Sequence, residues 1–429
     1  MSIYRRVPQD QVFWYLARRP TAACRENITA DVAIIGGGMA GLSAAQAFRK
    51  RGASVVLLEQ YYCGAGASGK SSGFITPNAE LSFTDFSQRY TPEIAHSIWS
   101  FITSGVDDIR RNIQQHQFDC EYAPQDTLMV ANSLRALKQL EIEYANLSKF
   151  GYKTQFYTQD TVRMHVGSHG YFGGVSYEDT FGINGYLYCQ ELKRQLQMMG
   201  VLIFEESVVT AIDDHTVTTP HAQVTAKYIV VCTDRWMPEL GILTQDVYHV
   251  QTFLMISEQL ADAQIQAIFP HKNLLVWDSD FIYSYFRITR NKQLLLGGGS
   301  LLTAYASRPA YDFTHMVTQL TCYFDTKFPG LNIQFTQVWP GLIGLSKDIA
   351  PIAGRDQNKP FLYYIAAAAG LPIAAALGRY SAEHLLEGRN DLDLYFSPYR
   401  SFAIGGLMQS ILGTKLSFAL CNGLVKMMP

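Results

Sequence analysis

The chain has 429 residues, with 35 basic and 37 acidic side chains and a formal net charge of -2. No broad electrostatic field therefore draws it to nucleic acid, which is not an expected partner. At ~150 residues per domain the length allows about two to three domains, and 48% apolar with 17% charged residues excludes a disordered chain.

Seven cysteines without a C-x-x-C spacing argue against a disulfide framework or a structural zinc site. No metal site is expected, and a reducing cytoplasm is the expected setting. The first thirty residues carry Arg5, Arg6, Arg18, Arg19 and Arg25 but no apolar core with a small-residue cleavage site, so no secretory signal is expected and the mature chain is expected to begin near Met1. Two uncharged runs, 32–48 and 360–378, approach the length of a membrane span. Gly36, Gly37, Gly38 and Gly41 break the first, and Gly370 and Pro372 the second, so each reads as strand, turn and helix.

In chain order, 32–35 form a short apolar strand, 39–51 a helix closed by Arg49, Lys50, Arg51 and Gly52, and 54–58 a second strand. This is a βαβ unit. Residues 83–149 are expected to be helical and 151–183 to be strands and turns. A helix over 184–199 and strands over 201–204 and 227–231 follow. Alternating and aromatic strands occupy 245–300, including 281–288 and 293–296. A strand over 361–366, a small-residue turn and a helix over 372–386 complete the pattern. No fixed-period repeat is present.

Gly36-Gly37-Gly38-Met39-Ala40-Gly41 satisfies G-x-G-x-x-G between strand and helix, where backbone amides approach a pyrophosphate at a helix N-terminus. Glu59, 18 residues beyond Gly41, closes the second strand and is placed to accept from ribose hydroxyls. FAD and NAD share this fingerprint. Residues 63–73, a run of small residues with exposed amides and hydroxyls, suit the diphosphate and ribityl chain of an extended cofactor, with a plain surface loop as the alternative. Cys63 beside it reads as packing. No Ser-His-Asp order, P-loop or H-E-x-x-H occurs.

On these residues, together with 182–212, 224–233, 283–299 and 339–386, the chain resembles the D-amino acid oxidase and glycine oxidase superfamily of flavin amine oxidoreductases. The resemblance implies an α/β fold: a Rossmann-like FAD-binding domain of the GR2 type, interleaved with an α+β substrate domain on a mainly antiparallel sheet. The FAD domain would comprise 1–78, 184–240 and 339–390, the substrate domain 79–183 and 241–338, and a C-terminal extension 391–429. Gly36, Gly38 and Gly41 would bind the pyrophosphate, Glu59 the adenosine ribose, and Ala67, Ser68 and Gly69 the phosphates and ribityl chain. Val208 would meet adenine, and Ala369, Gly370, Leu371 and Pro372 would hold the flavin ring. Met39, Ala40, Gln60, Ser71, Thr233 and Gly341 complete the expected cofactor set.

Three positions depart from the relatives. Ala369-Gly370-Leu371 stands where Gly-His-Gly is common, and Leu295 where monomeric sarcosine oxidases carry a lysine, which leaves oxygen or another electron acceptor open. The flavin-linking cysteine of those enzymes is replaced near Gly341, so FAD is expected to be held non-covalently. The reading is an FAD-dependent oxidoreductase that moves a hydride from a carbon bearing an amine to flavin N5, giving an imine that water hydrolyses. Its substrate would be a small amine or amino acid.

Arg287, on an apolar strand, is the candidate carboxylate anchor, with a structural ion pair as its alternative. Tyr285 shares its face and lines the cavity or packs in the core. Lys347 faces flavin N1 or solvent. Rival readings are an NAD-dependent dehydrogenase and a catalytically degenerate flavoprotein or binding module. Residues 401–429 mix apolar side chains with Lys415 and Lys426, which fits peripheral membrane contact or packing on the protein's own surface.

Overall fold

A computed structural model describes residues 5–6, 21–78, 80–300, 304–305 and 313–427. The architecture is α/β, built on two large sheets with helices packed against them.

The first sheet has a parallel core in the order Leu202–Phe204, Val55–Leu58, Ile28–Ile35, Gln223–Val231, Leu362–Ala366. Val32, Ala33 and Ile34 are buried on both faces, the pattern a covered parallel sheet requires. The strand beginning at Ile28 is longer than its apolar run because it pairs with Val224–Val231 along its whole length. Helix Met39–Lys50 crosses from Ile28–Ile35 to Val55–Leu58 and buries Leu42, Ala45 and Phe48. It ends on Arg51, with Gly52 at φ 87 just beyond.

The second sheet is nine-stranded and mainly antiparallel. Its longest strand, Tyr248–Gln259, is flanked by Phe335–Leu345 and Gln293–Gly298, with Tyr285–Ile288 and Leu275–Asp278 beyond the latter. Residues 281–284, expected to be strand, form a turn instead, because Asp278 Oδ1 accepts the amides of Asp280 and Ser284 and folds the chain back. Helices Gln159–His165 and Asp262–Ile268 also lie outside the strand-dominated expectation for their regions. The first starts at Thr158, whose hydroxyl accepts the Thr161 amide.

Two observations bear on the expected domain boundaries. Residues 339–345 belong to the second sheet, since Trp339–Leu345 pairs with Tyr248–Leu254. Within 79–183, helix Pro92–His116 packs on helix Leu371–Glu387 of the first unit: a Cβ at Gly105 would collide with the carbonyl oxygen of Pro372. Leu42, Trp99, Ile102, Val106 and Tyr380 consequently share one apolar core.

No helix among the described residues is long and apolar enough to cross a membrane. Both uncharged runs fold as strand, turn and helix. All seven cysteines are free thiols.

Candidate active site and cofactor cradle

The C-terminal ends of the parallel strands open into a cavity of about 940 Å³ that continues to the face of the second sheet. This is the large end of the ~300–1,000 Å³ range of small-molecule sites. Its position, at strand ends in an open α/β sheet, is where such folds bind ligands.

At the nucleotide end the chain turns through Gly36–Gly38 into helix Met39–Lys50. Gly36 adopts φ 106, and a Cβ there would stand 2.5 Å from the Cys232 carbonyl oxygen, so conformation and space both require glycine. Gly36, Gly38, Met39, Ala40, Glu59, Gln60, Ala67, Ser68 and Ser71 all line the cavity. Gly41 and Gly69 do not. A Cβ at Gly41 would collide with the Gly36 carbonyl, and one at Gly69 with the Gly64 carbonyl, so these two glycines let each helix close on its own turn instead of touching a phosphate. The Ser68 hydroxyl accepts the Met39 amide at 2.9 Å and fastens the 63–73 loop to the start of the helix.

Glu59 accepts the Gly37 amide at 2.6 Å and the Tyr61 amide at 2.9 Å. Burial raises its pKa, and these amides oppose the shift. A carboxylate has about four acceptor sites, so these amides do not exhaust its capacity. Cys63 is fully buried and its thiol pKa is pushed well up by desolvation, which is the signature of packing.

At the ring end, Gly370 (φ 119) starts helix Leu371–Glu387, and Ala369, Gly370, Leu371 and Pro372 line the cavity together with Val208, Thr233 and Gly341. The N-cap residue of this helix and that of Met39–Lys50 are both glycine and offer no side-chain cap; at Met39–Lys50 the first amide goes to Ser68, and both positive dipole ends lie at the cavity. The Thr233 hydroxyl is buried there without a hydrogen-bond partner among the described residues. Glycine turns that admit close approach, two helix N-termini, a buried carboxylate at the strand end and the Thr233 hydroxyl together fit an extended dinucleotide.

The sequence did not reveal Asp234. This residue (φ 49) accepts the Ala367 amide at 3.2 Å and the Gly344 amide at 2.7 Å, tying the ring-end turn to the second sheet. Trp339 also acts across the units: its indole N–H donates to the Lys70 carbonyl. Neither residue belongs to a short motif. Their partners lie 110 to 269 positions away, and only folding supplies them.

Two of the three candidate substrate-positioning residues are placed elsewhere. Arg287 is fully buried and outside the cavity wall, donating to the carbonyls of Ser72 and Ile183 at 2.7 Å each. Desolvation lowers its pKa to about 10. Its apolar strand does face a polar partner, but that partner is backbone, and the carboxylate-anchor reading is replaced by a clamp on the cofactor loop. Lys347 is also buried outside the wall, 3.5 Å from Asp246 and over the rings of Phe402 and Phe418. The C-terminal segment thus draws it away from the flavin-ring position. Tyr285 lines the cavity, its ring laid over Gly297, where any Cβ would collide with it. Leu295 is buried in an apolar cluster with Leu254, Ile256 and Trp339.

A βαβ dinucleotide cradle whose far end opens over an antiparallel sheet defines a two-unit, nucleotide-dependent oxidoreductase. The chain belongs to the FAD dependent oxidoreductase (DAO) family, whose model matches residues 31–384, and it is an FAD-dependent oxidoreductase. It is similar to the gamma-glutamylputrescine oxidoreductase of Escherichia coli, 29% identical over 381 residues that make up 86% of each chain. It is also similar to a probable oxidoreductase of Haemophilus influenzae, 24% identical over 90% of each. Among solved structures, glycine oxidase from Geobacillus kaustophilus superposes with a TM-score of 0.74 over 88% of this chain and 100% of its own, at 17% identity. L-proline dehydrogenase from P. horikoshii gives 0.73 over 87% and 98%, also at 17% identity. These two show the shared fold.

Proposed function

We propose that this protein oxidises the C–N bond of a small amine or amino acid, giving an imine that water hydrolyses. The observation that carries the reading is one continuous cavity, dinucleotide cradle at one end and an aromatic chamber against the second sheet at the other. The names of the relatives, an oxidoreductase of gamma-glutamylputrescine and a glycine oxidase, supply the substrate class.

FAD would supply the hydride acceptor, and glycine at 341 leaves no thiol at that position for covalent attachment. Gly36, Gly38 and Ser68 would hold its diphosphate, Glu59 its ribose, and the amides of Gly370 and Leu371 its ring. Gly341, on Phe335–Leu345, and Tyr285, on Tyr285–Ile288, border the place where substrate lies, and the apolar walls around them exclude water. With no acid–base pair assigned, rate enhancement rests on positioning and desolvation of the C–H bond. Backbone amides replace the missing turn histidine. Leu295, apolar where sarcosine oxidases carry lysine, favours an acceptor other than oxygen.

The test is the visible spectrum of the purified protein before and after acid precipitation, followed by anaerobic addition of amines. Flavin in the supernatant and bleaching by an amine support the reading. Flavin left in the pellet would overturn non-covalent binding, and flavin that no amine reduces would favour the degenerate rival.

The C-terminal segment has two faces. Phe418, Cys421 and Asn422 are buried against the protein, whereas Leu407 and Ile411 are 85% and 80% exposed. Own-surface packing takes the first face, and peripheral membrane contact is proposed for the second. Flotation with anionic liposomes, with and without residues 406–429, checks it. Equal flotation of both forms rules the contact out.

A further inference from the structure

Three strands of the parallel core end side by side, so the residues just past Val55–Leu58, Ile28–Ile35 and Gln223–Val231 surround one turn. Gly36–Gly38 lies in the middle, Tyr61 follows on one side and Arg235 on the other, and Gly36, Gly38, Tyr61 and Arg235 all line the cavity. The glycine turn and the segment before Arg235 are in contact: a Cβ at Gly36 would stand 2.5 Å from the Cys232 carbonyl oxygen and 3.5 Å from the Thr233 amide nitrogen. Arg235 is half-buried, and its guanidinium carbon lies 3.7 Å from the centroid of the Trp236 ring. Stacking on an aromatic face fixes the plane of a guanidinium and leaves its edge donors free. Among the described residues that guanidinium has neither a hydrogen bond nor an ion pair. Burial lowers its pKa, opposed by Asp234, Glu239 and Tyr61, and arginine stays charged at any working pH. Asp234 spends its carboxylate on the Gly344 and Ala367 amides, and Glu239 is exposed. The action of Tyr61 on Arg235 places the guanidinium back over the glycine turn, toward the neighbouring strand end.

We propose that Arg235, braced on Trp236, is a diphosphate clamp that closes the outer side of the glycine cradle and selects a dinucleotide flavin over ligands that lack the diphosphate. The turn and the helix dipole offer partial charges from one side of the cradle. A diphosphate carries full negative charges, and a planar fork with paired N–H donors matches two of its oxygens. The clamp rests on the FAD reading of the cradle and is independent of which amine is oxidised.

The test is ligand binding to the full-length chain stripped of flavin, followed by flavin fluorescence for FAD and by calorimetry for ADP and adenosine, which differ by the diphosphate alone. Arg235→Gln is expected to weaken FAD and ADP about 10- to 100-fold, the size of a charge-assisted hydrogen bond, and to leave adenosine within about 2-fold. Arg235→Lys keeps the charge without the fork and should fall between wild type and the Gln variant. Glu239→Gln should leave FAD affinity unchanged or raise it, because it removes a negative charge near the diphosphate. Equal losses for ADP and adenosine, or a loss that Glu239→Gln reproduces, would make Arg235 a structural residue and overturn the clamp. FAD binding that Arg235→Gln leaves within about 2-fold of wild type would overturn it too. Should the Gln variant fold poorly, the Lys variant answers in its place, since ADP affinity equal to wild type would refute a role for the planar fork. Wild-type protein that binds neither FAD nor ADP would sink the cradle reading together with the clamp, whereas the other outcomes reach the clamp alone.

Discussion

Thr233 and Arg287 show how little a residue's type reveals of its task. The Thr233 hydroxyl is buried at the cavity wall without a partner among the described residues, so its desolvation is already part of the folded protein's free energy. Thr233→Val should therefore leave unfolding of the FAD-free protein within about 1 kcal/mol of wild type while weakening FAD about 3- to 10-fold, a loss of one hydrogen bond. Equilibrium denaturation and a flavin titration read the two effects separately. Arg287 makes the opposite case, because its two bonds to Ser72 and Ile183 hold the cofactor loop to the strand that precedes helix Gly185–Met198. Arg287→Met strips two buried carbonyls of a charged donor and should cost about 2–4 kcal/mol of stability. Urea unfolding measures that cost. The loss of activity should track lost FAD and not a raised substrate KM, which steady-state kinetics at saturating FAD would check. The Gly36 turn and Glu59 were legible in the sequence because backbone approach and ribose acceptance impose a local pattern. The clamp role of Arg287 was not, since its carbonyl partners lie 215 and 104 positions away.

Elements are coupled by side chains that reach across helix ends. Glu143, on helix Leu134–Lys149, accepts the amides of Phe83 and Thr84 and the Thr84 hydroxyl, and so caps helix Phe83–Arg89 from outside. Burial raises its pKa to about 7, with the Thr84 and Phe83 donors opposing the shift. A carboxyl whose pKa is higher folded than unfolded favours the native state below its unfolded value near 4.5 and loses that contribution as pH rises through about 7. Between about pH 5 and pH 8 the wild type should therefore lose on the order of 3 kcal/mol more stability than Glu143→Gln, which cannot ionise. Urea titrations of both proteins at the two pH values decide it. Asn422 couples the tail in the same way. It donates to the carbonyls of Ser346 and Lys347 and accepts from Tyr305, fixing the C-terminal helix Thr414–Met427 at the cavity wall. The amphipathic character of that tail was readable from its sequence, but which face is inward depends on these long-range partners.

For the whole molecule, the cavity is the seam between two sheets that share one core, so filling it should stabilise both together. FAD at about 100 times its dissociation constant adds roughly 2.7 kcal/mol by mass action. In a thermal melt of FAD-free against FAD-loaded protein, a single transition should move upward. Two transitions, of which FAD moved only one, would contradict a shared core. The βαβ unit, the buried return strands expected over 227–231 and 361–366 and the helix expected over 372–386 were determined by the sequence itself, because glycine spacing, apolar runs and helix ends are local properties that short windows specify. Tertiary structure alone decided that Trp339–Leu345 joins the second sheet, that Gly105 admits the Pro92–His116 helix against Pro372, and that Arg287 and Lys347 turn away from the cavity while Arg235 lines it. Those outcomes depend on which distant backbone groups and rings satisfy a buried charge or close a packed layer, and contacts separated by a hundred residues leave no period in the sequence.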